Sequence, residues 1–167
     1  MQPNLALSYS SDGGSGWCGY GWNMAIPMIT LDTRWGAPKF DPAHESEIYI
    51  LNGQQLIQDD EYMPNRHSVE TGSNGEQICD TGLKARQSGS TIFYERKLGS
   101  FSQITRNGNG LSEHNWEVIT ADGTRHIYGD TDNSRLLSKD LNGDLRGVSC
   151  WALTQSRDKY GLSLIHI

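Results

Sequence analysis

Short runs of alternating apolar and polar residues are the main pattern along this chain. Alternation with period two places successive side chains on opposite faces of an extended backbone, so each run predicts a β-strand with two unlike faces. The runs cover residues 5–9, 28–31, 47–51, 54–57, 91–96, 102–105, 116–119, 124–128 and 149–154. We therefore expect an all-β fold built of short antiparallel strands and hairpins with long glycine-rich loops.

Glycine-containing turns connect several of these runs into local hairpins. Asn52-Gly53 separates two runs by two residues, which is the spacing and composition of a type I′ hairpin turn. Asp122-Gly123 lies between the runs 116–119 and 124–128 and supplies a turn. Residues 98–100 provide a turn between two more runs. Each of these pairs is expected to form an antiparallel hairpin.

Two parts of the chain lack a clear strand pattern. Residues 11–16 are rich in glycine and predict a wide loop, after which Trp17, Tyr20 and Trp22 interleave with glycines, so aromatic rings should pack over nearby backbone. Residues 58–90 are polar and weakly periodic, which predicts long loops with at most short strands.

Residues 162–167 are interpreted as the translated transposon end of a sequencing-library adaptor. We therefore expect the domain to comprise residues 1–161, as an internal fragment of a longer protein. No further strand is expected after Gly161.

Composition narrows the possible functions. Only 35% of the 167 residues are apolar and 19 are glycine, which favours turn-rich β-structure over long helices. The 20 acidic residues outnumber the 14 basic ones, and no basic run offers phosphate contacts, so nucleic acid is not an expected partner. No apolar stretch approaches the roughly 20 residues of a spanning helix, so membrane insertion by this segment is not expected.

Cysteines and histidines show no disulfide or metal-ligand spacing. The three cysteines form no C-x-x-C pair, and surface or hairpin positions account for the histidines. The residues concerned are Cys18, Cys79 and Cys150, and His44, His67, His114 and His126, whereas His166 belongs to the presumed adaptor tail. No Ser, Cys or His grouping indicates a catalytic triad, and we expect no catalytic residue, no cofactor and no metal.

Residues 14–19 match the dinucleotide fingerprint G-x-G-x-x-G after a predicted strand. That site also requires a helix whose N-terminus faces the pyrophosphate, but Gly21 and Pro27 interrupt the residues that follow. Cofactor binding is therefore not expected here.

Two acidic motifs also have a simpler interpretation. Glu45 and Glu47 have the spacing of the ADP-ribosyltransferase E-x-E pair, but the arginine and serine elements expected before them are missing, so a solvated edge is preferred. Asp140, Asn142 and Asp144 resemble a calcium loop without its glutamate at the twelfth position, and a type I′ or related turn explains them as well. Calcium binding remains an open alternative.

Several blocks occur in an order that resembles one known family. Residues 2–11 followed by Gly19-Tyr20-Gly21-Trp22-Asn23 resemble its opening, and residues 50–56 resemble its "LDGQRL" block. Further matching blocks are 101–104, 116–118 with 122–124 and 128–129, and 151–153 with 157–161. Residues 16–19 depart from the pattern, which affects loop packing. The chain is identified on these blocks as a member of the SpvB/TcaC N-terminal domain family.

The resemblance implies a structural role in a secreted toxin. Members occur in the Salmonella virulence plasmid B protein, in Tc-toxin B subunits and beside YD (Rhs) repeats. By resemblance, this region contributes β-sheet to a hollow shell around a toxic C-terminal segment. Its partners would be the rest of its own chain and possibly Tc-like A and C subunits. The ADP-ribosyltransferase of the plasmid protein lies in a separate C-terminal domain, so the resemblance implies no enzyme activity here.

Two alternatives stay open. A free-standing extracellular glycan- or protein-binding module would need an exposed platform built from tryptophans, namely Trp17, Trp22, Trp35, Trp116 and Trp151. An enzyme would need Glu45 and Glu47 at an accessible site. Burial of the tryptophans distinguishes the shell from the binding module. Since strands cut from a shell leave unpaired edges, we also predict poor autonomous folding.

Overall fold

A computed structural model describes most of the chain as short β-strands. The described residues are 7–12, 14–16, 19–24, 26–34, 36–59, 69–71, 77–79, 85–97, 99 and 101–166. The strands in these ranges are β1 Leu7–Tyr9, β2 Ser15–Gly16, β3 Gly19–Tyr20, β4 Trp22–Met24, β5 Met28–Leu31, β6 Tyr49–Leu51, β7 Gln54–Gln58, β8 Val69–Thr71, β9 Gln77–Cys79, β10 Thr91–Glu95, β11 Gln103–Asn107, β12 Asn115–Ile119, β13 Arg125–Tyr128, β14 Arg135–Lys139, β15 Leu145–Arg157 and β16 Ser163–His166. One 3₁₀ turn, Asp132–Ser134, precedes β14. The all-β prediction is confirmed.

Eight antiparallel strands close into a barrel. Their order is β13-β12-β11-β10-β7-β6-β5-β15, and pairing between β13 and β15 joins the two ends. The closing pair places Arg125 opposite Arg157 and His126 opposite Ser156, with a register shift after Ile127. Closure removes the free edges that these eight strands would have in an open sheet.

The 13-residue strand β15 connects the barrel to two outer strands. Its first half pairs with β14, and its last residues pair with β16. The expectation that no strand follows Gly161 is wrong, because Ser163–His166 pairs with Gln155, Ser156 and Arg157. Ile165 is β-branched, a residue type that is enriched in strands.

Inward-facing side chains of the barrel form an aromatic core. Tyr49 of β6 lies at its centre, with ring centroids 4.8 Å from Trp116, 5.6 Å from Phe93 and 5.8 Å from Trp151. Trp116 and Trp151 are both buried, and their rings meet edge to face at 5.9 Å. Such tilted contacts stabilise aromatic clusters beyond the burial of their area.

The predicted turns have the expected backbone conformations. Asn52 and Gly53 both have positive φ, at 50° and 78°, as a type I′ turn requires, and β6 and β7 pair across them. The turn at Asp122-Gly123 connects β12 and β13, with Gly123 at φ 83°. These hairpins are confirmed.

Residues 58–90 contain little regular structure where they are described. β8 and β9 are three residues long each and pair with each other in antiparallel orientation. Ala85 makes an isolated bridge to His44. The prediction of at most short strands agrees with these ranges. Among the described residues, no helix combines the length and the apolar character needed to span a bilayer.

Candidate functional site

One end of the barrel is covered by residues 40–47, which we call the cap segment. Phe40 begins it with φ 53° and packs on β15, where a Cβ at Gly147 would lie only 2.4 Å from the Phe40 ring. The absence of a side chain at Gly147 therefore provides the space for this ring. The Phe40 amide donates to Glu47 Oε1 at 2.8 Å, which closes the segment on itself.

Arg86, from the segment before β10, binds the cap segment through several hydrogen bonds. Its Nη2 donates to the carbonyl oxygens of Asp41 and His44 at 2.8 and 2.9 Å, and to Glu47 Oε2 at 2.5 Å. Its Nη1 donates to Glu45 Oε2 at 3.2 Å. One guanidinium therefore joins two backbone carbonyls and two carboxylates of the same segment.

Arg106 holds the cap segment from inside the barrel. It lies on β11, two residues after the buried Ile104 and on the same inward face. Both terminal nitrogens donate to the Glu45 carboxylate, and Nη1 also donates to the Tyr49 hydroxyl at 3.0 Å. Its guanidinium carbon lies 5.3 Å from the Phe93 ring centroid, within range of a cation–π contact.

Glu45, Glu47, Arg86 and Arg106 form a buried group of alternating charges, which we call the ion cluster. The side chains are between 1% and 7% exposed. The solvated edge expected for Glu45 and Glu47 is therefore wrong. Their arginine partners lie 39 to 61 residues away in sequence, so the local pattern could not reveal them. The available signal was Arg106, a charged residue at an inward-facing strand position, which requires a buried partner.

Burial and neighbouring charges shift the pKa values of Arg86 and Arg106 in opposite directions. Burial is the largest single influence on the pKa of Arg106 and acts to lower it, but the hydrogen bonds to Glu45 and Tyr49 and the charges of these groups together raise the pKa above its usual value. Arg86 shows the same balance, with the hydrogen bond to Glu47 raising its pKa against burial. Burial also raises the pKa of Tyr49 to about 12. These groups keep their ordinary charge states near neutral pH.

His114 lies beside the ion cluster, in the connection between the paired strands β11 and β12. It is 1% exposed, so a surface position is wrong for this residue, whereas a hairpin position agrees with the structure. Its backbone carbonyl accepts a hydrogen bond from Trp151 Nε1 at 2.8 Å, and its Nε2 is buried without a hydrogen-bond partner among the described residues. Burial lowers the pKa of His114 to about 4, and the charges of Arg106 and Arg86 act in the same direction. The ring is neutral near neutral pH.

The rings of His44 and His126 have partners outside this cluster. His44 is exposed in the cap segment and pairs with Asp41 at 3.0 Å. His126 of β13 contacts the Ser156 hydroxyl at 3.0 Å, and burial lowers its pKa. His67 lies outside the described residues, and for His166 only the backbone is described.

The ion cluster has little capacity for catalysis in this state. Glu45 and Glu47 each accept hydrogen bonds from arginine, and their side chains are 7% and 1% exposed, so both carboxylates are occupied by partners within the chain. Within the described ranges, no group of three or more His, Cys, Asp or Glu side chains is arranged to hold a metal ion. The arrangement instead fastens the cap segment to the barrel.

The glycine motif at 14–19 forms part of a hairpin rather than a strand-to-helix turn. β2 pairs with β3 through Ser15 with Tyr20 and Gly16 with Gly19, and β4 follows directly. Trp17 and Cys18 lie outside the described residues. Dinucleotide binding would require a helix that begins at this motif, and no helix begins within its described residues.

In the acidic turn between β14 and β15, one carboxylate oxygen accepts hydrogen bonds from the backbone. Asp140 Oδ1 accepts the amides of Asn142 and Asp144 at 2.8 and 2.9 Å, and Gly143 has φ 90°. Asn142 does not have positive φ, so the turn is a related form with one glycine in the left-handed region rather than type I′. These contacts support the turn interpretation of Asp140.

The tryptophans do not form one exposed platform where they are described. Trp116 and Trp151 are buried in the core, while Trp22 is 44% exposed and contacts Tyr9 with centroids 5.2 Å apart. Trp17 and Trp35 lie outside the described residues. The expected packing of Trp17, Tyr20 and Trp22 over glycine is described only in part: the Tyr9 ring covers Gly21, and Tyr20 is exposed.

The described cysteine thiol lies on the outside of the barrel. Cys150 of β15 is free, and its sulfur lies 3.6 Å from the Met28 sulfur. Burial raises the pKa of the Cys150 thiol, which disfavours the reactive thiolate. Cys18 lies outside the described residues, and for Cys79 only the backbone is described.

Comparisons with known proteins identify relatives in sequence. The family model SpvB, Salmonella virulence plasmid 65kDa B protein, matches residues 1–166. Proteins named Mono(ADP-ribosyl)transferase SpvB from Salmonella choleraesuis strain SC-B67 and Salmonella enteritidis are 28% identical over 139 residues, which is 80% of this chain. The chain spans 22% of the length of these relatives.

Solved structures show the same fold within longer chains. The N-terminal domain of effector protein SpvB from Salmonella typhimurium strain LT2 matches 93% of this chain with a TM-score of 0.63 and 25% identity, over 46% of its own length. The structure of TcdB2-TccC3 matches 96% of this chain with a TM-score of 0.66 and 21% identity, over 7% of its length. The family match over almost the whole sequence, together with this fold, shows that the chain belongs to the SpvB, Salmonella virulence plasmid 65kDa B protein, family.

Proposed function

We propose that this chain is a structural segment of a secreted bacterial toxin-shell protein, which encapsulates or delivers a C-terminal toxic domain. The observation that carries the proposal is the fold. A segment that makes up 7% of the TcdB2-TccC3 structure matches 96% of this chain. In this role the barrel forms part of the wall of the shell, and the toxic activity lies in another domain of the longer protein. Residues 1–161 would be the native part of the segment.

The outer face of the barrel supports a role as a wall element. Register pairs place Leu136, Cys150, Thr30 and Ile50 in one outward row across β14, β15, β5 and β6. Leu136 is 64% exposed, and the neighbouring Met28 is 40% exposed. A largely apolar outer row fits a surface that another part of a larger assembly covers.

The partners follow from the same proposal. The principal partner would be the rest of the longer polypeptide, with Tc-like A and C subunits as further partners. The protein would be made in the cytoplasm and act after export. Catalysis is assigned to another domain, because the relatives named as ADP-ribosyltransferases share only 22% of their length with this chain.

A free-standing glycan- or protein-binding module is the second candidate. The exposed pair of Tyr9 and Trp22 on β1 and β4 is the observation in its favour. Burial of Trp116 and Trp151 removes two of the five rings that a stacking platform would use. The shell role is therefore the better supported of the two.

The full reading frame tests the proposal. Long-read sequencing across the locus should find YD repeats and a variable C-terminal domain downstream of residue 161. A stop codon near Gly161, together with a soluble and monodisperse product, would contradict the shell role and favour the binding module. In that case, binding of the product to a glycan array, with a Trp22→Ala variant as control, would be the next measurement.

A further inference from the structure

The ion cluster closes the barrel end with balanced charge. Two carboxylates, from Glu45 and Glu47, face two guanidiniums, from Arg86 and Arg106, and all four side chains are nearly inaccessible. Balanced pairs of this kind are tolerated in a low-dielectric interior only while the balance holds. An additional charge at this place would therefore favour exposure of the cluster to water.

His114 is the group placed to add that charge. It precedes β12 and faces Arg106 from β11, Arg86 from the segment before β10, and Glu45 from the cap segment. Glu47 and Tyr49 face the two arginines from the cap segment and β6. The geometry places His114 there: its carbonyl oxygen accepts from Trp151 Nε1, the Trp151 ring contacts Tyr49, and the Tyr49 hydroxyl accepts from Arg106. The buried Nε2 of His114 has no hydrogen-bond partner among the described residues, so a proton there would meet two guanidiniums and no free carboxylate.

We propose that the cap segment is an acid-sensitive latch, which the ion cluster holds closed at neutral pH and which protonation of His114 releases. The proton comes from solvent, and no covalent bond changes. Protonation gives three cations against two carboxylates, and release of the cap segment exposes Glu45, Glu47 and Arg86 to water. The inference goes beyond the proposed function and does not depend on it.

The direction of the pH effect follows from the two states of His114. In the closed latch its pKa is about 4, below the ordinary 6.5 that the ring regains when the latch opens. The open state therefore binds more protons between these values. The full stability of the closed latch is present above the ordinary pKa, and it is lost as the pH falls toward 4.

Hydrogen exchange of the 167-residue chain tests the latch. The amides of Phe40 and Arg86 report on it, since they donate to Glu47 Oε1 and to the Ala43 carbonyl. After correction for intrinsic rates, their exchange should increase about 25-fold between pH 7 and about pH 5, while amides of β11 and β12 change far less. No increase, or a parallel increase in β11 and β12, would overturn the proposal.

A variant identifies the responsible group. His114→Gln should abolish the acid-induced exchange at Phe40 and Arg86, whereas His44→Gln, which alters the exposed histidine of the cap segment, should retain it. Persistence of the effect in His114→Gln would show that another group titrates. If that variant fails to fold, NMR titration of His114 in the unaltered chain replaces it. Protonation of His114 should occur at the same pH as the loss of amide protection at Phe40 and Arg86. Protonation at a different pH would overturn the proposal.

Discussion

At the scale of single residues, Arg106 is the side chain on which most of the site depends. It contacts a carboxylate of the cap segment, the hydroxyl of Tyr49 and the face of Phe93. Removal of one partner from a buried ion pair leaves the other charge desolvated and uncompensated. The energetic cost of losing Arg106 is therefore expected to be larger than that of losing any exposed arginine.

Arg106→Met should lower the free energy of unfolding by about 3 kcal/mol, because Glu45 loses its main partner while buried. Arg125→Met is the matched control, since Arg125 pairs with Glu117 but its side chain is 52% exposed. The control should cost about 0–1 kcal/mol. Urea unfolding of both variants measures the difference, and equal losses would contradict the structural role assigned to the ion cluster.

At the scale of elements, the sequence predicted the structures that depend on neighbouring residues. The hairpin at Asn52-Gly53 follows from turn chemistry that two residues specify. β14 was not predicted, because Leu136 and Leu137 are adjacent apolar residues and its sequence Arg-Leu-Leu-Ser-Lys does not alternate between apolar and polar side chains.

Long-range pairings could not be predicted from local pattern. The β13–β15 pairing that closes the barrel joins residues about 30 positions apart, such as His126 and Ser156. The cap segment depends on Arg86 and Arg106, which lie farther still from Glu45. Their spacing carries no periodic signal, so the sequence predicted the strands but not the enclosure of Glu45 and Glu47.

The turn between β14 and β15 provides a prediction at this scale. Asp140→Ala should lower the free energy of unfolding by about 1 kcal/mol, because two backbone amides lose their acceptor. Leu141→Ala is the control and should have little effect, since Leu141 is fully exposed. Thermal unfolding with and without calcium completes the measurement: a saturable stabilisation by calcium that Asp140→Ala removes would contradict the turn interpretation.

At the scale of the whole molecule, closure of the barrel changes the expectation about folding. Poor autonomous folding was predicted from unpaired strand edges, but β13 and β15 pair with each other and leave no such edge in the barrel. The features that still favour association are outside it, at β14 and along the apolar outer row. Leu136 and Leu137 of β14 are both exposed.

The central claim is that this outer row is covered in the longer protein. Hydroxyl-radical footprinting with mass spectrometry measures it directly, by comparing modification of Met28 and Leu136 in the 167-residue chain and in the full-length product. Both side chains are exposed in the isolated barrel, so the shell role predicts strong modification in the short chain and protection in the full-length protein. Equal modification in the two proteins would contradict it and leave the barrel as an independent module.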